Sequence, residues 1–188
     1  MSTQYLNRAL RLTDQLKTKS VILLGPRQVG KSSLIRYELP LAKVFNLLKA
    51  DTFQDLLIRP SIIREGIKEK GELVVIDEIQ KLPSLMDEVH TMIEEYGARF
   101  LLTGSSARKL TRSHTKMMGG RARTMYLHPF SYSELPEFDL TRALTFGTIP
   151  SIYFSADPRA DMRGYVGDYI REEIMAEGLS RRVDQFSR

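Results

Sequence analysis

Val21-Ile22-Leu23-Leu24-Gly25-Pro26-Arg27-Gln28-Val29-Gly30-Lys31-Ser32-Ser33-Leu34-Ile35-Arg36 is the stretch from which the fold can be read. Its first four residues are apolar without alternation and end at Gly-Pro, as expected of a short strand buried on both faces of a parallel sheet. The next eight, Gly25 to Ser32, complete the pattern G-x-x-x-x-G-K-[ST], and Ser33-Leu34-Ile35-Arg36 is compatible with a helix. Strand, glycine-bearing loop and helix therefore follow one another in the order that a polyphosphate cradle requires. Glycines let successive backbone N–H groups turn inward, and a helix opening at about Lys31 adds unpaired N–H groups and the positive end of its dipole. Gly25, Pro26, Arg27, Gln28, Val29, Gly30, Lys31, Ser32 and Ser33 are the candidate phosphate contacts. Lys31 is suited to the β- and γ-phosphoryl oxygens, and the Ser32 hydroxyl to a magnesium ion.

Further apolar runs occur at Val44–Leu48, Leu73–Ile76 and Phe100–Leu102, with a more mixed one at Thr124–Leu127, making five candidate strands. Helix-like segments separate them. Leu6, Ala9, Leu10, Thr13 and Leu16 suggest an amphipathic helix from about Tyr5 to Lys17. Asp51 and Gln54 read as a capping box opening a helix that ends near Arg59, before Pro60, and a second helix runs on to Gly66 or beyond. Ser84 precedes the stripe Leu85, Val89, Met92, Ile93 and Tyr96, which Gly97 closes. Strands alternating with helices imply right-handed βαβ units and a mostly parallel sheet covered on both faces.

The chain has 188 residues, enough for one core domain with a smaller appendage, and its 42% hydrophobic and 27% charged content is that of a globular protein. With no Cys, disulfide scaffolds, thiolate zinc sites, iron–sulfur clusters and cysteine nucleophiles are excluded. The first 20 residues are broken by Arg8, Arg11, Asp14, Lys17 and Lys19 and do not form a signal peptide, and no run approaches a bilayer-spanning length. A cytoplasmic protein without a membrane partner is expected. Lys and Arg number 28 against 23 Asp and Glu, a net charge of +5 that suits phosphate-bearing partners.

Leu73-Val74-Val75-Ile76-Asp77-Glu78 places two carboxylates where a buried strand emerges at the carboxyl edge of the sheet, the edge at which open α/β sheets bind ligands. Asp77 is suited to holding magnesium opposite Ser32, and Glu78 to orienting or deprotonating an attacking water. Phe100-Leu101-Leu102 ends in Thr103-Gly104-Ser105-Ser106. Ser105 is the candidate sensor of the γ-phosphate, with Thr103 and Ser106 as rivals and helix capping as their ordinary role. From Arg99 through Ser133 no acidic residue occurs while Arg99, Arg108, Lys109, Arg112, Lys116, Arg121 and Arg123 supply positive charge. That run reads either as a solvated face, as the source of an arginine for a nucleotide, in cis or across the subunit interface of a homo-oligomer, with Arg121 singled out, or as a contact surface for nucleic acid or protein. His90, His114 and His128 have no ligand spacing. The guanine signatures Asn-Lys-x-Asp and Thr-Lys-x-Asp are absent, so adenine is the expected base.

The combination of Gly-Pro-Arg-Gln-Val-Gly-Lys-Ser, Val-Val-Ile-Asp-Glu-Ile-Gln, Leu-Leu-Thr-Gly-Ser-Ser-Ala-Arg and Gly-Gly-Arg-Ala-Arg followed by Leu-His-Pro-Phe-Ser-Tyr-Ser-Glu-Leu closely resembles prokaryotic AAA-type ATP-binding proteins. These are predicted ATPases with an N-terminal AAA domain and a C-terminal domain of unknown function. The likeness spans Lys19 to about Leu135. It implies a P-loop NTPase fold, a three-layer αβα sandwich with a mostly parallel five-stranded sheet of order 5-1-4-3-2. An extra strand then lies between the phosphate-loop strand and the acidic-pair strand. It also implies ATP and Mg²⁺ as cofactors, Lys31, Glu78 and Ser105 in the catalytic set, Ser32 and Asp77 at the metal, and Arg121 on the family's Gly-Arg position. The likeness continues through Thr145–Pro150 and Tyr165–Ile174 into the start of the linker and C-terminal domain. Family members run further, so this sequence resembles a truncated member. The expected organisation is an N-terminal helix over 1–18, the ATPase domain over 19–135, and over 136–188 a linker with the start of an incomplete helical region. Tyr165, Tyr169, Ile170 and Ile174 would form a helical stripe in need of a cover, from a missing domain or another subunit.

The leading expectation is Mg-dependent ATP hydrolysis coupled to a partner. Open alternatives are a nucleotide-gated switch with negligible hydrolysis, a small-molecule kinase, which would need an acceptor pocket, and a nucleic-acid-dependent ATPase using the basic run.

Overall fold

A strand that is apolar at every position must be covered on both faces, and alternation of its side chains decides which residue meets which cover. In the computed structural model, which describes residues 5–105 and 118–169, strand β1 (Ser20–Leu24) is buried along its whole length. Val21 and Leu23 face a cluster with Leu12 and Leu16 of helix α1 (Leu12–Leu16) and Leu34 and Ile35 of helix α2 (Lys31–Glu38). Ile22 and Leu24 belong to the opposite cluster. That cluster includes Leu56 of α3 (Ala50–Ile58), Ile63 of α4 (Ile62–Glu65), and Leu85, Met86, Val89 and Met92 of α5 (Leu85–Tyr96). Two cores on the two faces of one sheet make the three layers.

The remaining strands are β2 (Lys43–Asn46), β3 (Leu73–Asp77), β4 (Arg99–Gly104) and β5 (Ala122–Tyr126). All pairings are parallel and the order is β2-β3-β4-β1-β5, which read from the other edge is the expected 5-1-4-3-2. Strand β4 is thus the inserted strand between β1 and β3. Register aligns Asn46 with Asp77 and Leu24 with Gly104, so the ends of four strands reach the same edge.

Two local expectations are corrected. The helix expected over Tyr5–Lys17 is confined to Leu12–Leu16, because the Glu38 carboxylate accepts from Leu12 N at 2.6 Å and Thr13 N at 3.2 Å and so caps the helix there. The Asp51–Gln54 capping box is not formed. Helix α3 starts two residues earlier than that box implies, at Ala50, with Lys49 at the N-cap and no side-chain bond, leaving Asp51 in the first turn where its charge favours the dipole. Helix α4 stops at Glu65, so it does not run past Gly66, and Gly97 closes α5 at φ +61° as expected.

The chain divides into two compact units, residues 1–127 and 128–188. In the second, Asp139 caps helix α6 (Leu140–Phe146) by accepting from Arg142 N at 2.9 Å. Helix α7 (Pro150–Tyr153) begins with proline at a position that needs no N–H donor, and α8 (Pro158–Tyr169) follows. Tyr165 and Tyr169 stack on α8, while Ile170 and Ile174 lie outside the described residues. Among the described residues no helix is long and apolar enough to cross a membrane.

Candidate functional site

The loop Gly25–Gly30 leaves β1 at the carboxyl edge of the sheet and enters α2. Two of its residues have backbone that L side chains rarely adopt, Gln28 at φ +62° and Gly30 at φ +95°. Gly25 is required for a different reason: a Cβ there would overlap the carbonyl oxygen of Leu127. Lys31, the first residue of α2, is 7% exposed and its ammonium donates back across the loop to Gly25 O at 2.7 Å and Pro26 O at 3.1 Å. Behind the loop, Arg8 is 5% exposed and donates through Nη1 to Val29 O at 2.8 Å. Sequence periodicity assigned Arg8 to a helix; its contact with a loop 21 residues away has no local signature.

Asp77, the last residue of β3, is 2% exposed and sits opposite the start of α2. Its Oδ2 accepts from Ser32 Oγ at 3.2 Å and from Asn46 Nδ2 at 3.3 Å, and its Oδ1 accepts from Thr103 Oγ1. The proton directions are determined. Thr103 Oγ1 already accepts from Glu78 N at 3.1 Å, leaving its own proton for the carboxylate. Asn46 Oδ1 accepts from Leu48 N at 2.8 Å, which turns the amide nitrogen toward Asp77. Three donors from α2, β2 and β4 thus satisfy a buried carboxylate, as burial of a charge demands.

Glu78 follows in the left-handed region, at φ +64°. Among the described residues it and Gln28 are the two non-glycine residues with positive φ, and both lie at this edge; such backbone persists where its surroundings hold it, here through the bond from Glu78 N to Thr103. The turn separates the two carboxylates: Asp77 points into the Ser32–Asn46–Thr103 group, and Glu78 accepts instead from Gln80 Nε2. Gln80 Nε2 also donates to Ser105 Oγ at 3.3 Å.

The expected loop residues, Lys31, Ser32, Asp77, Glu78 and Ser105, are therefore brought to one sheet edge. Arg121 is not. It precedes β5, whose Ala122 pairs with Ser20 at the start of β1, and so stands at the amino edge, about 15 Å away for a five-residue strand rising roughly 3.3 Å per residue. Its guanidinium pairs with Glu94 of α5, whose carboxyl is held below its usual range first by that hydrogen bond and then by the arginine's charge. Other described residues of the basic run are likewise engaged. Arg99 donates to Gly71 O, Leu16 O and Lys17 O, and Arg123 to Gln15 Oε1. Ser106, Arg108, Lys109, Arg112, His114 and Lys116 lie outside the described residues.

Asn46 and Gln80 were not singled out in the sequence, and Thr103 was only a rival to Ser105. Each carries a faint mark in retrospect: Asn46 and Thr103 are polar ends of apolar strands, and Gln80 sits two residues past Glu78. Among the described residues no group of three or more His, Asp or Glu could hold a metal by itself.

Residues 17–136 match the protein family described as AAA domain. Among solved structures, a Walker-type ATPase of Pyrococcus abyssi is similar at 16% identity with a TM-score of 0.53, over 89% of this chain and 70% of that one. That likeness shows a shared fold. A search of curated proteins finds no match.

Proposed function

The chain belongs to the AAA domain family, and on that premise we propose that it binds ATP with Mg²⁺ and hydrolyses the β–γ phosphoanhydride bond. The observation that carries this reading is the meeting of Ser32 and Asp77, 3.2 Å apart across the mouth of the phosphate loop, with Glu78 next in sequence but turned to a separate partner.

Each residue then has a distinct task. The loop N–H groups and the amino end of α2 receive the phosphates. Lys31, which donates to two loop carbonyls, exchanges these for phosphoryl oxygens that are stronger, charged acceptors. The Ser32 hydroxyl and the Asp77 carboxylate are adjacent hard oxygen donors, the donor type magnesium prefers, and would hold the ion together with phosphate oxygens and water. Bound there, Mg²⁺ supplies neutralisation of charge on the β- and γ-oxygens. Asn46 and Thr103 hold the Asp77 carboxylate in place. Glu78 accepts a proton from water as its oxygen bonds to the γ-phosphorus, the bond to the bridging oxygen breaks, and its electron pair leaves with ADP. Ser105 donates toward the γ-phosphoryl oxygens. Adenine is the base proposed, since no guanine-reading signature is present.

Calorimetric titration with ATP and GTP, each with and without magnesium, tests occupancy, base preference and metal dependence together. Lys31→Ala is expected to abolish ATP binding, while Glu78→Gln retains binding and loses turnover by about 10²-fold or more. A Glu78→Gln variant that hydrolyses ATP at the parent rate removes Glu78 from the mechanism.

A further inference from the structure

We infer that Gln80 is a positioning residue that couples Glu78 to Ser105, an inference that rests on the ATPase reading above. Its Nε2 group has two protons and uses both, one on the Glu78 carboxylate and one on the Ser105 hydroxyl at 3.3 Å. A carboxylate only accepts, so the amide must present nitrogen to Glu78 and its orientation is determined. The side chain keeps that orientation although its Oε1 is buried without a hydrogen-bond partner among the described residues, a loss of hydration that the two N–H bonds offset.

The consequence is chemical. Ser105, accepting from Gln80, keeps its own proton for a phosphoryl oxygen, and Glu78, held through one oxygen, keeps the other for water. Glu78 stands in left-handed backbone, and its carboxylate is bonded by Gln80 while that of Asp77 is bonded by Ser32, Asn46 and Thr103. Gln80 lies on the short 3₁₀ turn Ile79–Lys81, anchored by buried Ile79, and reaches both strand ends from there. A shift of Ser105 on engaging phosphate is therefore transmitted to Glu78 through a single amide.

The test compares Gln80→Leu, Ser105→Ala and the double variant in the full chain, reading kcat, the ATP dissociation constant by calorimetry and the melting temperature without nucleotide. Gln80→Leu is expected to lower kcat about tenfold or more while ATP affinity stays within about twofold and melting is little changed, and the double variant falls no further than the worse single one. Gln80→Glu, isosteric but unable to donate, loses kcat likewise. A Gln80→Leu rate near the parent's, losses that multiply in the double variant, or a fall in affinity or melting as large as that in kcat overturns the coupling. A parent chain that binds ATP but never turns it over overturns the hydrolysis reading itself, and the coupling with it.

Discussion

Ser32 Oγ donates to Asp77 Oδ2 at 3.2 Å although 45 residues separate the two in sequence. The contact joins the first turn of α2 to the end of β3, two strands away from β1 in the sheet with β4 between them.

Ser32→Ala is expected to weaken magnesium-dependent ATP binding by about tenfold or more, while metal-free binding changes little; titrating magnesium at constant ATP reads this out. Asp77→Asn should cost both function and stability. If its oxygen keeps the Thr103 proton, its amide nitrogen faces the donors of Ser32 and Asn46, a mismatch of about 1–3 kcal/mol in a buried group, measurable by denaturant melting.

Gly25→Ala is expected to destabilise by about 1–3 kcal/mol, because the added methyl meets the backbone carbonyl of Leu127, which cannot rotate aside as a side chain would. Gly30→Ala, at φ +95° where the added methyl would meet Arg8 Nη1 at an ordinary contact distance of 3.8 Å, should lose about 1–2 kcal/mol through backbone conformation. Urea melts of both variants separate collision from conformation, and a Gly25→Ala variant as stable as the parent sinks the first argument.

Arg121→Ala should leave the affinity for ATP within about twofold of the parent and return the Glu94 carboxyl toward its ordinary range, seen by NMR titration of Glu94. The sign follows from the depressed value: the attraction is fully present above the ordinary carboxylate pKa and is lost as pH falls through the lowered one. Both side chains are exposed, so little change in melting temperature is expected.

How much of this was legible in the sequence depends on how local the cause was. The strand Val21–Leu24, the loop to Ser32 and the stripe on α5 follow from spacings of a few residues, and they stand where expected. Gly97 closes its helix as its position beyond the stripe implied. The first helix failed for a non-local reason: periodicity continued back to Tyr5, but the carboxylate that caps it belongs to Glu38, on another helix. Asp51 failed because Lys49, in extended backbone, took the N-cap position one residue before the helix began. At Arg121 the local signals are charge and the neighbouring glycines, and neither reports which edge of the sheet a strand's first residue occupies.

The amino-acid order by itself determined that a glycine-bearing loop would join a buried strand to a helix and that an Asp-Glu pair would close another strand, because both are matters of composition within a short window. Only the tertiary structure decided which groups meet there: Asn46 beside Asp77, Thr103 between Asp77 and Glu78, Gln80 between Glu78 and Ser105, Arg8 beneath Val29. The reason is register. Parallel strands joined by long crossovers place side chains at a common edge according to how the strands align, and that alignment is set by packing both faces of the sheet at once.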